Sequence, residues 1–176
     1  MMLTILLSLM LGAGPVATNG GVVSIKGHHL LAEVAKTERE RDLALEFRQQ
    51  FKSERCMFVL SEHERPHPVQ TRKFLLPFDV AWVDAEGTVV EMQERVPPCK
   101  KGQDCPEFGG TKPSRYYVYL AAGMLRKLGL MTGDKIGWDL QLTDGTNLRN
   151  GPSLQSENAQ SARRQKRKGR SRGRRP

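Results

Sequence analysis

Residues Phe74 to Met92 read FLLPFDVAWVDAEGTVVEM, two β-rich runs that meet at the turn residues Asp84-Ala85-Glu86-Gly87. Val80, Trp82 and Val83 precede the turn and Thr88, Val89 and Val90 follow it, which predicts a β-hairpin. Phe78, Val80 and Trp82 share one face at period two, and Asp79 and Ala81 share the other. One face is therefore expected to be buried and the other open or paired. Pro77 has no N–H for a ladder, so it belongs at the start or edge of its strand.

Around the hairpin the punctuation is dense. Val22 to Ile25 and His28 to Ala35 read as extended chain after a Gly-rich spacer. Thr37-Glu38-Arg39-Glu40 is a capping box, and Leu43, Phe47 and Phe51 follow at helical spacing, predicting a helix over about residues 38 to 50. Strands are expected over Arg55 to Ser61, Tyr116 to Leu120 and Lys135 to Leu142, and a helical turn through Leu125 and Leu128 closed by Gly129. Short strands with one substantial helix argue for an α+β class. The expected shape is a compact, β-rich, barrel-like single domain over residues 22 to 143 with one flanking helix. From 144 to 176 the chain is polar and then basic, and is expected to be a disordered tail.

Both ends differ from this body. Leu3 to Leu11 has the length of a signal-peptide core and about half that of a bilayer span, and small residues follow it. Residues 1 to 18 are thus expected to be a signal peptide, without a transmembrane span. The formal charge of the 176-residue chain is +9, while residues 1 to 162 hold 19 basic and 19 acidic side chains. The excess sits at Arg163, Arg164, Lys166, Arg167, Lys168, Arg170, Arg172, Arg174 and Arg175. Such a segment binds polyanions through charge alone, since it has no aromatic side chain for stacking bases.

Candidate chemistry in the body is sparse. Cys56 lies in the apolar run Cys56-Met57-Phe58-Val59-Leu60 and reads as a buried hydrophobe. Cys99 and Cys105 flank a polar loop of five residues, long enough for a disulfide, which would suit an oxidising compartment. His63 and His67 read as solvated loop residues beside two prolines, with no Cys-x-x-Cys or His-Glu-x-x-His spacing, so neither a metal nor a cofactor is expected. Asp79 and Asp84 do not form a catalytic pair, and Asp134 after Gly133 is expected to bond turn amides. Arg48, Arg72 and Lys73 are the candidate anion patch, and no catalytic residue is assigned.

The order of the pieces resembles the domain-of-unknown-function 192 family. The likeness runs over about residues 30 to 140: Glu33-Val34-Ala35-Lys36-Thr37, Arg55 to Leu60, Leu76 to Gly87, Val96-Pro97-Pro98-Cys99, Cys105 to Phe108, Tyr117 to Gly123 and Gly129 to Asp134. The resemblance implies a small β-rich barrel with a flanking helix, often exported, of unsettled activity. Where the family carries a Trp-Met-Lys-Asn-Thr run, this chain has Gln70-Thr71-Arg72-Lys73-Phe74, so an activity seated there does not transfer. The expectation is a non-enzymatic exported domain whose tail binds envelope polymer, anionic lipid or nucleic acid. The alternatives are a cytoplasmic nucleic-acid-associated protein and a small-ligand-binding or enzymatic barrel.

Overall fold

The computed structural model describes residues 18–100 and 102–151. The expected signal peptide and the basic segment fall outside the described residues, apart from Thr18 at the end of the former. Among the described residues there are ten strands and two short helices: β1 (Gly20–Ile25), β2 (His28–Ala35), α1 (Glu38–Leu43), β3 (Arg55–Arg65), β4 (Val69–Gln70), β5 (Phe78–Val83), β6 (Val89–Val96), β7 (Glu107–Phe108), β8 (Ser114–Ala121), α2 (Met124–Leu128), β9 (Ile136–Gln141) and β10 (Asn147–Asn150).

Eight strands form one sheet in the order β10-β9-β1-β2-β3-β8-β5-β6, and β4 pairs with β7 in a small separate ladder. The β1–β2 hairpin turns on Lys26 and Gly27, both at positive φ (50° and 82°), the geometry a two-residue loop needs to match strand twist. Only β2 and β3 run parallel in the large sheet, so the chain between them must cross over, and α1 lies in that crossover. The sheet curls until the β5–β6 tip reaches the start of β9. There Thr88 bridges Lys135, the Val89 N–H donates to the Asp134 carbonyl (2.9 Å) and the Ile136 N–H to the Gly87 carbonyl (2.9 Å). The result is the expected barrel-like shape.

The hairpin forms as predicted, but both faces of β5 are buried. Phe78, Val80 and Trp82 join an outer cluster with Val59 and Tyr119, covered by Ala44, Leu45, Val69 and Phe74. Ala81 and Val83 join an inner cluster with Val23, Phe58, Leu120 and Trp138. Asp79, fully buried, has both carboxylate oxygens engaged: Oδ1 accepts from the Arg95 N–H and Oδ2 from the Leu125 N–H, each at 2.8 Å. Arg95 lies in β6 at φ 50°, next to a register shift in the β5–β6 ladder. Leu125 lies in the first turn of α2, where backbone N–H groups have no partner within the helix. One side chain thus ties a bulge to a helix end.

The helix expected over 38 to 50 stops at Leu43. Its capping box is as predicted, with Glu40 N–H on Thr37 Oγ1 (3.2 Å) and Thr37 N–H on Glu40 Oε2 (2.8 Å). None of its residues is buried, however, and a helix this short is stable only through packing. The chain turns at Ala44 (φ 10°) so that Ala44 and Leu45 enter the outer cluster, while Leu43 and Phe47 of the apparent apolar stripe remain 49% and 64% exposed. Strand structure also runs past Gly145. β10 pairs with β9 along its length and Leu148 packs against the inner cluster, because an edge strand can be held by its ladder with few hydrophobes. Replacing Asp79 by Ala strands one buried and one part-buried N–H group and is expected to cost about 3 kcal/mol, read as a lowered midpoint in urea unfolding.

Candidate functional site

Tyr117 and Tyr119 occupy alternate positions on the outward face of β8, and the outer cover leaves a cleft of about 520 Å³ beside them. Its other walls come from α1, the end of β3, and the run from His67 to Phe74. Arg41, Arg65, Arg72 and Lys73 face Glu38, Asp42, Glu46 and Glu107 around it, so the lining is charged but balanced.

His67 is the most constrained of these residues. Its N–H donates to the Gly110 carbonyl (2.9 Å), and its carbonyl accepts from Trp82 Nε1 (2.8 Å). A side chain at Gly110 (φ 62°) would come within 2.1 Å of that carbonyl, so the close approach requires glycine. The ring lies 5.6 Å from the Tyr117 ring, and Nε2 is buried without a hydrogen-bond partner. Burial, with the nearby Arg65 and Arg41 charges, lowers its pKa. Contrary to expectation, then, His67 is not a solvated loop histidine. It was missed because its setting depends on the β4–β7 pairing and on the register shift between Leu60 and Arg65 where β3 meets β8. The sequence signal available was the Tyr117/Tyr119 alternation, which marks a face needing cover.

Burial also raises the pKa of the hydroxyls on this face and of the one free thiol among the described residues. Burial pushes the Tyr117 hydroxyl up to about 12, raises Tyr119 well above its ordinary value and lifts the fully buried Cys56 thiol to about 12. Asp134 accepts from the Met131 N–H (2.8 Å), the expected turn role, and pairs with Lys26 (2.8 Å). Among the described residues, no group of three or more His, Cys, Asp or Glu side chains could hold a metal ion.

The expected anion patch divides. Arg72 and Lys73 line the cleft, with Lys73 3.4 Å from Glu46. Arg48 instead forks onto Glu33 (Nη2–Oε2 2.6 Å, Nη1–Oε1 3.2 Å) in a separate hollow shared with Arg55. Hydrogen bonding to Arg48 holds the Glu33 carboxyl below its ordinary range, and that guanidinium is already satisfied. The three side chains do not converge on one anion. Cys99 and Cys105 are joined in a disulfide, their Cα atoms 5.6 Å apart, and the Cys99 N–H donates to the Thr71 carbonyl (3.3 Å). The stapled loop thus lies against the pre-hairpin run. It forms one side of a second groove, with Phe47, Arg72, Lys73, Phe74 and Leu75 on the other.

These features define a small β-barrel-like domain with a stapled loop and a shallow, charge-balanced cleft on its covered outer face. The chain belongs to the DUF192 family, described as uncharacterised ACR, which matches residues 21–138. No curated protein matches the chain. Two solved structures share the fold. A Sinorhizobium meliloti protein described as a "putative transcription regulator" is 22% identical, with 72% of this chain and 98% of that one covered at a TM-score of 0.60. A Novosphingobium aromaticivorans protein of unknown function is 23% identical, with 72% and 91% covered at a TM-score of 0.60. At these identities the likeness is one of fold.

Because the folded state holds His67 below its ordinary pKa, it binds fewer protons there than the unfolded chain. Stability is therefore expected to be full above about pH 6.5 and to decline as pH falls below that value, the unfolded histidine's pKa. His67→Gln should flatten this part of the denaturation profile, and an NMR titration should place the His67 midpoint below those of exposed histidines.

Proposed function

We propose that the protein is a non-enzymatic, exported β-rich domain held to polyanionic surfaces by its segment Arg163 to Arg175. The observation that carries this reading is charge segregation. Cations of the body are widely matched by acids, as in Lys26–Asp134, Lys36–Asp144, Glu33 between Arg48 and Arg55, Arg126–Glu94 and Arg149–Asp139. The nine basic residues of the terminal segment have no acidic neighbours in sequence. A charge-balanced body adds little long-range attraction, so affinity for an anionic polymer falls to that segment and weakens steeply with salt.

Export is supported by the Leu3 to Leu11 apolar run and by the Cys99–Cys105 bridge, which suits an oxidising compartment. No helix among the described residues is long and apolar enough to cross a membrane.

Full-length protein is expected to elute from an anionic matrix at higher salt than a chain ending at Gln160; equal retention would refute the assignment to the segment. An intact Met1 on the mature protein would refute export and favour the intracellular, nucleic-acid-associated alternative.

A further inference from the structure

Phe47 is held in the left-handed region (φ 57°), a conformation bulky side chains avoid, yet its ring is 64% exposed. Two backbone contacts keep it there: its N–H donates to the Lys73 carbonyl (3.2 Å), and Glu46 forms a β-bridge with Phe74. Leu75, 52% exposed, lies beyond the same bridge. Both line the groove of about 620 Å³ bounded by the disulfide loop, whose floor is the buried Phe74. Arg72, Lys73 and Lys100 also line this groove, and among the described residues no carboxylate does. Arg72 forms no ion pair among the described residues, and the Lys73–Glu46 contact leaves the lysine side chain 54% exposed.

An occupant must present negative charge to three cations and apolar volume to two exposed hydrophobes within one groove. A carbohydrate polymer or duplex nucleic acid offers the first without the second, and a single strand could stack a base on Phe47 but has no acyl chain to place against Leu75. An anionic bilayer offers both at the depth where headgroup gives way to acyl chain. We propose that the groove between the Phe47–Leu75 pair and the Cys99–Cys105 loop is a docking surface for an anionic phospholipid bilayer, with Phe47 and Leu75 entering the interface and Arg72, Lys73 and Lys100 meeting the phosphates. The docking contact is additional to the tail-borne binding proposed above and rests on that reading only for the choice of an anionic surface. The terminal segment would supply long-range attraction, and the groove orientation and depth.

The test is hydrogen–deuterium exchange of the full chain with phosphatidylcholine vesicles containing phosphatidylglycerol, with phosphatidylcholine vesicles alone, and with heparin. Anionic vesicles should slow exchange in peptides spanning residues 45–49 and 72–77, and the other two additives should not. Phe47→Gly relieves the backbone conformation, so its Tm should equal or exceed that of the parent. Its affinity for anionic vesicles should nevertheless fall about tenfold, the consequence of losing one interfacial aromatic side chain, with heparin binding unchanged. Vesicle binding without protection of these peptides, equal protection by heparin, or an unchanged anionic-vesicle affinity in Phe47→Gly would each overturn the docking surface. If heparin binding persists in those cases, only the groove assignment fails. Loss of both heparin and vesicle binding removes the tail reading as well.

Discussion

The strands at the centre of the sheet are buried on both faces, and much of the remaining chain is committed to making that possible. A curled sheet covers its concave face by its own curvature. The convex face must be covered by something else. In β5 the alternation sends Ala81 and Val83 inward and Phe78, Val80 and Trp82 outward, and both sets are buried. The outer set demands a lid, and the chain supplies it from short pieces: Ala44-Leu45 after α1, Val69 of the two-residue β4, and Phe74 before the hairpin. Asp79 fits the same constraint. A carboxylate inside such a sheet must have its oxygens satisfied, and it is the irregular backbone at Arg95 and the start of α2 that satisfies them.

A patchwork lid has seams, and the surface features of interest lie along them. The cleft beside Tyr117 and His67 lies between α1 and the pre-hairpin run, and the groove beside Phe47 lies between that run and the stapled loop. Arg72 and Lys73 line both. Electrostatics divides the molecule differently. Ion pairs such as Glu33 with Arg48 and Arg55 settle charge locally within the body, whereas the terminal segment concentrates nine cations without counter-charges. Net positive charge and local ion pairing are therefore carried by different parts of the chain.

Much of the architecture was legible because its signals are local. The hairpin follows from alternation around Asp84 to Gly87, the Asp134 turn from Gly133-Asp134, the burial of Cys56 from its apolar run, and the disulfide from the reach of a five-residue loop. The capping box at Thr37 was equally readable, and it does start a helix. The length of that helix was not. The i, i+4 stripe of Leu43 and Phe47 mimics a core face, but α1 ends where Ala44 and Leu45 enter the outer cluster with residues of β3, β5 and β8, strands that come later in the chain. β10 was missed for the complementary reason: its residues are polar, and its pairing with β9 is a backbone property that composition does not record.

The amino-acid sequence alone determined the family, the β-rich class, the central strand pair and the separation of a neutral body from a basic end, since each depends on composition or on residues close together in the chain. Only the tertiary structure decided that Arg48 is tied to Glu33 and not joined with Arg72, that His67 presses against Tyr117, and that Phe47 is held out in solvent. Those outcomes depend on which remote segments are brought side by side when a twisted sheet closes and its outer face is covered, and no local pattern encodes that geometry.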